Sequence, residues 1–495
     1  MKYAVILLIA LFSLTTPSLA SFCPDSTAVA SRSVAAEKLA AVVRFQTVSA
    51  LDSANFRFSE FKKLHAYLAK AFPLAHERLQ VEVINDFSLL YTWQGQDTRL
   101  EPVLFSAHTD VVPVESASEE AWQEQPFAGE VKDGYIWGRG TMDDKYRVVA
   151  LLEAVEQLLE QDYEPERTLY LAFGHDEEIG GEGGASMISQ HLEQQGVQLE
   201  AVFDEGLAIA EDVLPGLTEP VALVGTAAKG NLNLLLTVSG GGGHSSAPPA
   251  DTPIDILSQA IKRLHENPFE PRLIPATREM LEILSGKMGG KYKFAMRHYG
   301  LFKGKILRKL SEDRATDVLI RTKLVPTMLS AGEKHNVLPR EASAVLNIRI
   351  LNGEDEQSVL RHVRKAIKDN RVKIERYGVY TPPSPVTATD TWVYGALSAS
   401  ILETFPDVLV VPALFPGATD AKHYSNLTDN IFRFAPQVVN RESALLIHNV
   451  DERMAVEVLE NSISFYNALI RNTCGGNTME QLADTDEGPL LPDTE

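Results

Sequence analysis

Positive charge is scarce in this sequence, which has 46 lysines and arginines against 67 acidic residues and a formal net charge of −21. This balance argues against a nucleic-acid-binding protein, because such proteins present a basic surface to phosphates. We attribute the acidic excess to solubility rather than to a particular substrate. The 495 residues, of which 44% are hydrophobic, predict more than one domain, since single cores stop growing at roughly 250–300 residues.

Long apolar runs are absent beyond the N-terminus, so we predict no stable membrane span in the mature chain. The first 20 residues contain Lys2, an apolar run from Ala4 to Phe12 and small residues that end at Ala20. This pattern is typical of a secretory signal peptide. We therefore expect cleavage near Ala20 and export to the periplasm or the extracellular space. The alternative is an uncleaved anchor, for which the apolar run is short.

Cysteine is almost missing, with Cys23 and Cys474 near opposite ends of the mature chain. An exported protein can keep a disulfide bond, so a bridge between them is one expectation and two free thiols are the other. The acidic segment 475–495 is typical of a disordered tail.

Strand and helix patterns alternate between about residues 100 and 210, which predicts an α/β layer with a central, mainly parallel sheet and flanking helices. From residue 227 to 377 the strands alternate polar and apolar residues, which indicates an inserted α+β sandwich. Within it, the basic-leaning stretch 270–325 is interpreted as an insertion. The larger domain would comprise residues 24–226 and 378–474.

Ionisable residues follow the predicted buried strands at the point where each strand ends. In VLFSAHTDVVPV, His108 and Asp110 are two positions apart, so they share one face of an extended chain. Comparable positions hold Asp143 and Asp144 in GRGTMDDK, Glu177 and Glu178 in FGHDEEIGG, Asp204 and Glu205 in VFDEG, and His448 in LLIHNVDER. Neighbouring buried acids repel unless a cation holds them. Imidazole mixed with carboxylate suits zinc, and the excess of ligands indicates two metal ions.

Simpler structural explanations exist for several of these residues. Asp204 could cap the next helix, and Glu177 with Glu178 could be a solvated pair. The glycine run Gly240–Gly243 could cradle a phosphate, but no GK[ST] sequence follows it. The run is more simply a place where the backbone bends or passes closely.

Seven segments occur in an order that resembles the di-zinc exopeptidases related to aminoacylase and glutamate carboxypeptidase. The segments are HTDVVP, GRGTMDDK, DEEIGGEGGA, VFDEG, GGGGHSSAPP, NVLP and IHNVDER. Their details look closest to the carboxypeptidase S and N-acyl-amino-acid hydrolase branch, over about residues 35 to 470. The resemblance implies a zinc-exopeptidase sheet domain, with segment 227–377 as a lid or dimerisation domain and a possible homodimer.

The resemblance also implies the metal ligands. One ion would take His108, Asp143 and Asp204, and the other would take Asp143, Glu178 and His448. Asp143 would therefore bridge two zinc ions, with cobalt or manganese as possible substitutes.

Further roles follow from the same resemblance. Glu177 would be the general base that activates water. Asp110 would orient His108 and fix its tautomer. The family often has a cis peptide bond after the bridging aspartate, which here is the bond between Asp143 and Asp144.

Substrate contacts are implied in the inserted segment and in one loop beyond it. His244 would stabilise the oxyanion, across a dimer interface or after domain closure; otherwise it is a polar loop residue. Arg349 and Asn336 would hold a substrate carboxylate, although Arg349 could be an ordinary strand residue. Gly417 lies in PGATDAK, a loop that usually lines the substrate site.

The implied function is a secreted di-zinc hydrolase that cleaves a peptide or N-acyl amide bond next to a free carboxylate. Its substrate would be a small peptide, for a carboxypeptidase or dipeptidase, or an N-acyl amino acid, for a hydrolase/synthase. A non-catalytic metal-binding scaffold protein is the alternative from another class.

Overall fold

The structure is a computed structural model that describes residues 33–52, 56–211, 217, 219–440 and 442–476. The expected signal peptide, Cys23 and residues 477–495 of the expected tail lie outside these residues. Cys474 is buried at the end of the last helix, where burial raises the pKa of its thiol to about 12.

The described residues form two compact units. The smaller unit contains Ala227–Val386 and Ala413–Ala418, and the larger unit contains the remaining described residues. We expected the inserted segment to end at residue 377, whereas the smaller unit continues through the proline-rich link to Val386.

The N-terminal part of the larger unit carries strands of the main sheet with helices between them. Its elements are α1 (Val34–Val43), α2 (Phe58–Ala71), α3 (Pro73–Arg78), β1 (Gln80–Ile84), β2 (Ser88–Trp93), β3 (Val103–His108), β4 (Glu130–Lys132), β5 (Tyr135–Trp137), α4 (Lys145–Glu160), β6 (Leu169–Gly174), α5 (Ala185–Gln194), β7 (Ala201–Ala210) and β8 (Val221–Ala228).

The middle of the chain forms most of the smaller unit. Its elements are β9 (Gly230–Ser239), β10 (Gly243–His244), α6 (Pro253–Glu266), α7 (Pro275–Lys287), α8 (Gly290–Arg297), α9 (Tyr299–Glu312), α10 (Arg314–Asp317), β11 (Lys323–Ala331), β12 (Val337–Leu338), β13 (Glu341–Ile350), α11 (Glu356–Ile367) and β14 (Lys373–Arg376).

The C-terminal part of the chain contributes two more strands of the main sheet and its last helices. Its elements are α12 (Trp392–Thr404), β15 (Leu409–Phe415), β16 (Ile431–Val439), β17 (Arg453–Ala455) and α13 (Val456–Cys474).

The main sheet has eight strands in the order β1-β2-β6-β3-β7-β16-β8-β15. Its four central strands β6, β3, β7 and β16 run parallel, while β1 and β2 are antiparallel at one margin and β8 is antiparallel near the other. Helices cover both faces, with α1, α4 and α13 in one apolar core and α5 in the other. The predicted α/β class with a mainly parallel centre is confirmed.

The sequence of α4 explains how this sheet is covered. Most of its 16 residues are buried, because it lies between the sheet and helices α1 and α13. Apolar residues therefore occur on nearly every side of it, as expected of a helix inside a large core.

The smaller unit is built on an antiparallel sheet of order β11-β13-β9-β14, with α6 and α11 packed on one face. Alternate residues of β9 are buried, which matches its alternating sequence NLNLLLTV. Capping boxes at Thr252 and Asp355 begin α6 and α11. The expected insertion 270–325 consists mainly of the helices α7 to α10.

Within the described ranges, no helix combines the length and apolar character that a membrane crossing requires.

Candidate active site

Five chain segments of the larger unit bring ionisable side chains to the carboxyl ends of the parallel strands. His108 ends β3, Glu177 and Glu178 follow β6 in a short 3-10 turn, and Glu205 lies within β7. Asp143 precedes α4, and His448 precedes β17 in a loop, with a φ of 62°. Open α/β sheets place their functional groups at this edge.

Asp143 lies between the two histidines. Its Oδ1 is 3.0 Å from Nε2 of His108, and its Oδ2 is 3.1 Å from Nε2 of His448. Nε2 of His448 also lies 2.9 Å from Oε1 of Glu178. Burial alone would lower the pKa of His448, but hydrogen bonds to the Asp143 and Glu178 carboxylates outweigh it and raise this pKa to about 10. A carboxylate with one oxygen toward each imidazole is arranged as a bridging ligand.

Three groups of donor atoms lie within 4.8 Å of one another: His108 with Asp143 and Glu205, His108 with Glu177 and Glu178, and Asp143 with Glu178 and His448. These mixtures of imidazole and carboxylate suit zinc and similar divalent ions. Four carboxylates this close together repel one another, and two divalent cations would balance their charge. The donor set therefore fits a pair of divalent ions.

Asp204 does not lie with this group, although it was the predicted ligand. Its Oδ2 accepts the backbone N–H of Ala421 at 2.7 Å, and its Oδ1 lies 3.7 Å from Nη1 of Arg147. Glu205, the next residue, lies nearer to the group, with Oε1 3.8 Å from Nε2 of His108, and the ligand role of Asp204 stays a prediction.

The different positions of Asp204 and Glu205 have a physical cause in the sheet register. Asp204 pairs with Arg433, but the next pair joins Leu207 to Phe434, so Glu205 and Gly206 form a bulge in β7. Neighbouring strand residues point to opposite faces, and the bulge directs Glu205 toward the end of β3. At Gly206 a Cβ would lie 2.6 Å from Cβ of Arg433, so glycine is required there.

Asp110 contacts both the histidine and the turn that carries the two glutamates. Its Oδ1 lies 3.2 Å from Nδ1 of His108 and accepts the backbone N–H of Glu177 at 3.1 Å. Its Oδ2 accepts the backbone N–H of Glu178 at 3.0 Å and the hydroxyl of Ser49 at 2.6 Å. Burial would raise the pKa of Asp110, but these partners, His108 first, lower it below its ordinary value. The geometry suits the predicted orienting role, which stays a prediction.

Glu177 is buried beside the donor groups, with Oε2 4.0 Å from Nε2 of His108. Its neighbour Glu178 contacts His448, so the two adjacent glutamates face different histidines. This position is compatible with a base next to a metal pair.

Glu452 is a positioning residue that the sequence interpretation missed. It is fully buried, forms an ion pair with Arg139, and accepts the backbone N–H groups of Gly140 at 2.9 Å and Met142 at 3.0 Å. It therefore holds the loop that leads into Asp143. Its nearness to His448 in IHNVDER was the available signal, but nothing in the sequence reveals its burial.

Arg147 is a second buried residue that the sequence did not reveal, and it contacts Asp144 beside the site. Nη1 of Arg147 lies 3.2 Å from Oδ2 of Asp144, and its Nε donates to the hydroxyl of Tyr466 at 2.7 Å. Burial raises the pKa of Asp144 to about 8, although the Arg147 charge opposes the shift. The peptide bond between Asp143 and Asp144 is cis, as the resemblance implied.

The smaller unit contains the predicted substrate-binding residues. His244 ends β10, which pairs with β12, and the backbone N–H of Ser245 donates to the carbonyl of Asn336 at 3.2 Å. The structure thus brings His244 and Asn336 together.

Arg349 lies elsewhere in this unit. It pairs with Asn231 at the opposite end of the β9–β13 ladder, and burial lowers its pKa. Gly417 lies against Phe415, whose ring a Cβ at Gly417 would meet at 2.9 Å. Substrate contact by these residues stays a prediction.

By its similarity to known proteins the chain is a metallo-exopeptidase or amidohydrolase. Residues 104–472 match the Peptidase family M20/M25/M40, and the chain belongs to this family. The family assignment identifies an enzyme, so the non-catalytic scaffold alternative is not retained.

Two relatives agree with this assignment, and a solved structure shares the fold. The chain is 40% identical over 442 residues to the probable carboxypeptidase S-like 2 of Dictyostelium discoideum, covering 88% of this chain and 85% of that protein. It is 38% identical over 456 residues to the N-fatty-acyl-amino acid synthase/hydrolase PM20D1 of Xenopus tropicalis, covering 91% and 88%. The M20 family metallo-carboxypeptidase Sso-CP2 from Sulfolobus solfataricus has a TM-score of 0.65 at 17% identity, covering 88% and 98%. The predicted resemblance and its branch are confirmed.

Proposed function

We propose that the chain is an exported hydrolase that uses two divalent ions, zinc in the first place, to cleave an amide bond next to a free carboxylate. The observation that carries this proposal is the position of Asp143 between His108 and His448, with Glu177 beside them. A centre with these donor groups has more ligands than a single zinc ion binds.

The proposed ligands follow the contacts. His108, Asp143 and Glu205 would hold one ion, and Asp143, Glu178 and His448 would hold the other. Cobalt or manganese could substitute, because availability as well as affinity decides the metal. When bound, the ions supply Lewis acidity toward the scissile carbonyl and lower the pKa of water.

Glu177 is the proposed general base. Its carboxylate takes a proton from the attacking water and later delivers it to the leaving amine. The hydrogen bond from its backbone N–H to Asp110 fixes the turn on which this carboxylate sits. Asp110 thereby aligns the base and His108 with one another.

The proposed substrate contacts are His244, Asn336, Arg349 and Gly417. His244 is the proposed oxyanion donor. The part of β13 from Glu341 to Arg349 is about 26 Å long as an extended strand. His244 and Asn336 lie beyond its Glu341 end. A small substrate cannot reach both ends of one smaller unit. This separation supports a homodimer in which the two groups come from different copies.

The substrate has two candidate classes. A C-terminal residue of a small peptide fits a carboxypeptidase or dipeptidase, because an arginine can hold its free carboxylate through two hydrogen bonds. An N-acyl amino acid presents the same carboxylate. The 38% identity to a N-fatty-acyl-amino acid synthase/hydrolase over 91% of the chain favours keeping this second candidate.

The test compares the wild type with Glu177→Gln on dipeptides and N-acyl amino acids, with metal content measured on both. The variant should lose at least about 100-fold in kcat and keep its metal, because a glutamine cannot accept the proton. Glu182→Gln is the matched control, since Glu182 is an exposed glutamate five residues along. Full activity in Glu177→Gln would contradict the assigned base.

Export has its own test. Secreted expression followed by mass measurement of the mature chain should show a new N-terminus near Ser21. An intact N-terminus in the purified protein would overturn this part of the proposal.

A further inference from the structure

A cationic surface covers two helices of the smaller unit, and the proposed function makes no use of it. The segment from Lys287 to Lys309 contains eight basic residues and no aspartate or glutamate, in a chain whose net charge is −21. The eight are Lys287, Lys291, Lys293, Arg297, Lys303, Lys305, Arg308 and Lys309, and all are exposed. We call this surface, on α8 and α9 with Lys287 before them, the cationic helical face.

Large apolar side chains lie among these cations. Tyr292 is 43% exposed, Phe294 is 55% exposed and Leu301 is 79% exposed. On α9, Leu301 shares one side of the helix with Lys305 and Arg308, four and seven residues further on. Single exposed apolar residues are ordinary, but three within a cationic segment form an amphipathic surface.

Helices α8 and α9 contact one another through an aromatic pair. The rings of Phe294 and Phe302 meet at 5.9 Å in an edge-to-face arrangement. Met296 and Leu307 are buried on the inner side. The two helices that carry the cations and the exposed apolar groups are therefore in contact with one another.

Carboxylates do little to neutralise this surface. Among ion pairs between residues that the structure describes, only Lys309 of the eight takes part, with Glu312 at 2.9 Å. The other seven are exposed, and two of them lie over aromatic rings, Lys291 over Tyr292 at 5.0 Å and Lys305 over Phe302 at 5.9 Å. A partner must therefore offer negative charge and an apolar layer at the same place.

We propose that the cationic helical face docks the protein onto an anionic lipid bilayer. A bilayer presents both features, because its headgroups attract lysine and arginine while its interface accepts aromatic and leucine side chains. A nucleic acid would satisfy the cations, but its phosphate backbone offers no apolar layer to Leu301. The apolar residues thus favour the lipid surface.

The experiment is flotation of the full chain with phosphatidylcholine vesicles that contain or lack phosphatidylglycerol. The wild type should float only with the anionic vesicles, and high salt should release it because salt screens surface charges. The triple variant Lys303→Glu, Lys305→Glu, Arg308→Glu should bind on the order of 100-fold more weakly, since each cation contributes about a factor of five.

Two further variants separate the lipid surface from other polyanions. Arg361→Glu, Arg364→Glu, Lys365→Glu changes the net charge equally on exposed positions of α11 and should bind as the wild type does. Leu301→Ser keeps all cations and should bind vesicles about 10-fold more weakly. Circular dichroism checks that each variant is folded.

Several results would overturn the proposal. Flotation independent of lipid charge would indicate attachment through the apolar N-terminus. Equal loss in the α11 control would indicate a general charge effect. An unchanged Leu301→Ser variant, with retention on a nucleic-acid column, would indicate a polyanion site.

Discussion

The carboxylate of Asp110 lies 3.2 Å from Nδ1 of His108 and also accepts the backbone N–H groups of Glu177 and Glu178. One buried side chain therefore contacts both a proposed metal ligand and the turn that carries the proposed base. Because these contacts converge on a single carboxylate, its removal should disturb metal binding and catalysis together.

Asp110→Asn should lower both metal affinity and kcat/KM by about 10- to 100-fold, as loss of a partner to a metal-bound histidine usually does. Competition with a chelator measures the affinity. Ser49→Ala is the control, because it removes one 2.6 Å hydrogen bond to Asp110 but keeps its charge. Normal metal affinity in Asp110→Asn would refute the orienting role.

The neighbouring acids of β7 should have opposite phenotypes. Glu205→Ala should bind about one metal ion fewer per chain, because Glu205 faces His108. Asp204→Asn should keep both ions and instead lower the melting temperature, since Asp204 faces the buried Arg147. Elemental analysis and thermal unfolding distinguish the two. If Asp204→Asn lost a metal ion and Glu205→Ala kept both ions, Asp204 and not Glu205 would be the ligand.

Asp204 and Glu205 also show which features could be predicted from the sequence. The alternating strands and helices predict the α/β class, because burial sets their periodicity. The ordered motifs identify the segments that meet at the strand ends. The choice between Asp204 and Glu205 depends on a bulge at Gly206, which is a property of strand pairing and is not visible in one strand's sequence.

Two buried residues that support the site could not be predicted from the sequence for a similar reason. Glu452 and Arg147 contact partners that are distant in the sequence, and their burial exists only once the helices pack. The smaller unit begins at Ala227, where the strand pattern changes, and continues to Val386, beyond the start of the proline-rich stretch. A proline-rich stretch resembles a linker whether or not it packs against a unit.

Glu452→Gln should lower the free energy of unfolding by about 3 kcal/mol or more, because it leaves Arg139 buried without its counter-charge. Denaturant unfolding measures this change. Glu457→Gln, at an exposed position of α13, should cost less than about 1 kcal/mol. Equal stability of the two variants would show that Glu452 does not hold the loop.

Lys229 should make stability depend on pH. Burial, and secondarily the Lys323 charge, lower the pKa of Lys229 to about 7, and its Nζ donates to the carbonyl of Arg321 at 2.6 Å. The unfolded chain then binds more protons between pH 7 and the ordinary lysine value, so stability rises with pH across this range.

The matched measurement compares the wild type with Lys229→Met from pH 6 to pH 10. The wild type should gain stability relative to the variant as pH rises, by at most roughly 4 kcal/mol. Lys262→Met, at an exposed site, should show no such trend. A constant difference between wild type and Lys229→Met would mean that the Lys229 amine stays charged in the folded protein.

A crystal structure of the zinc-loaded protein with anomalous data at the zinc edge would show directly whether Asp143 bridges two ions. We expect two peaks that share Asp143, one within bonding distance of His108 and Glu205 and the other within bonding distance of Glu178 and His448. A single peak, or a first peak bound by Asp204 in place of Glu205, would contradict it.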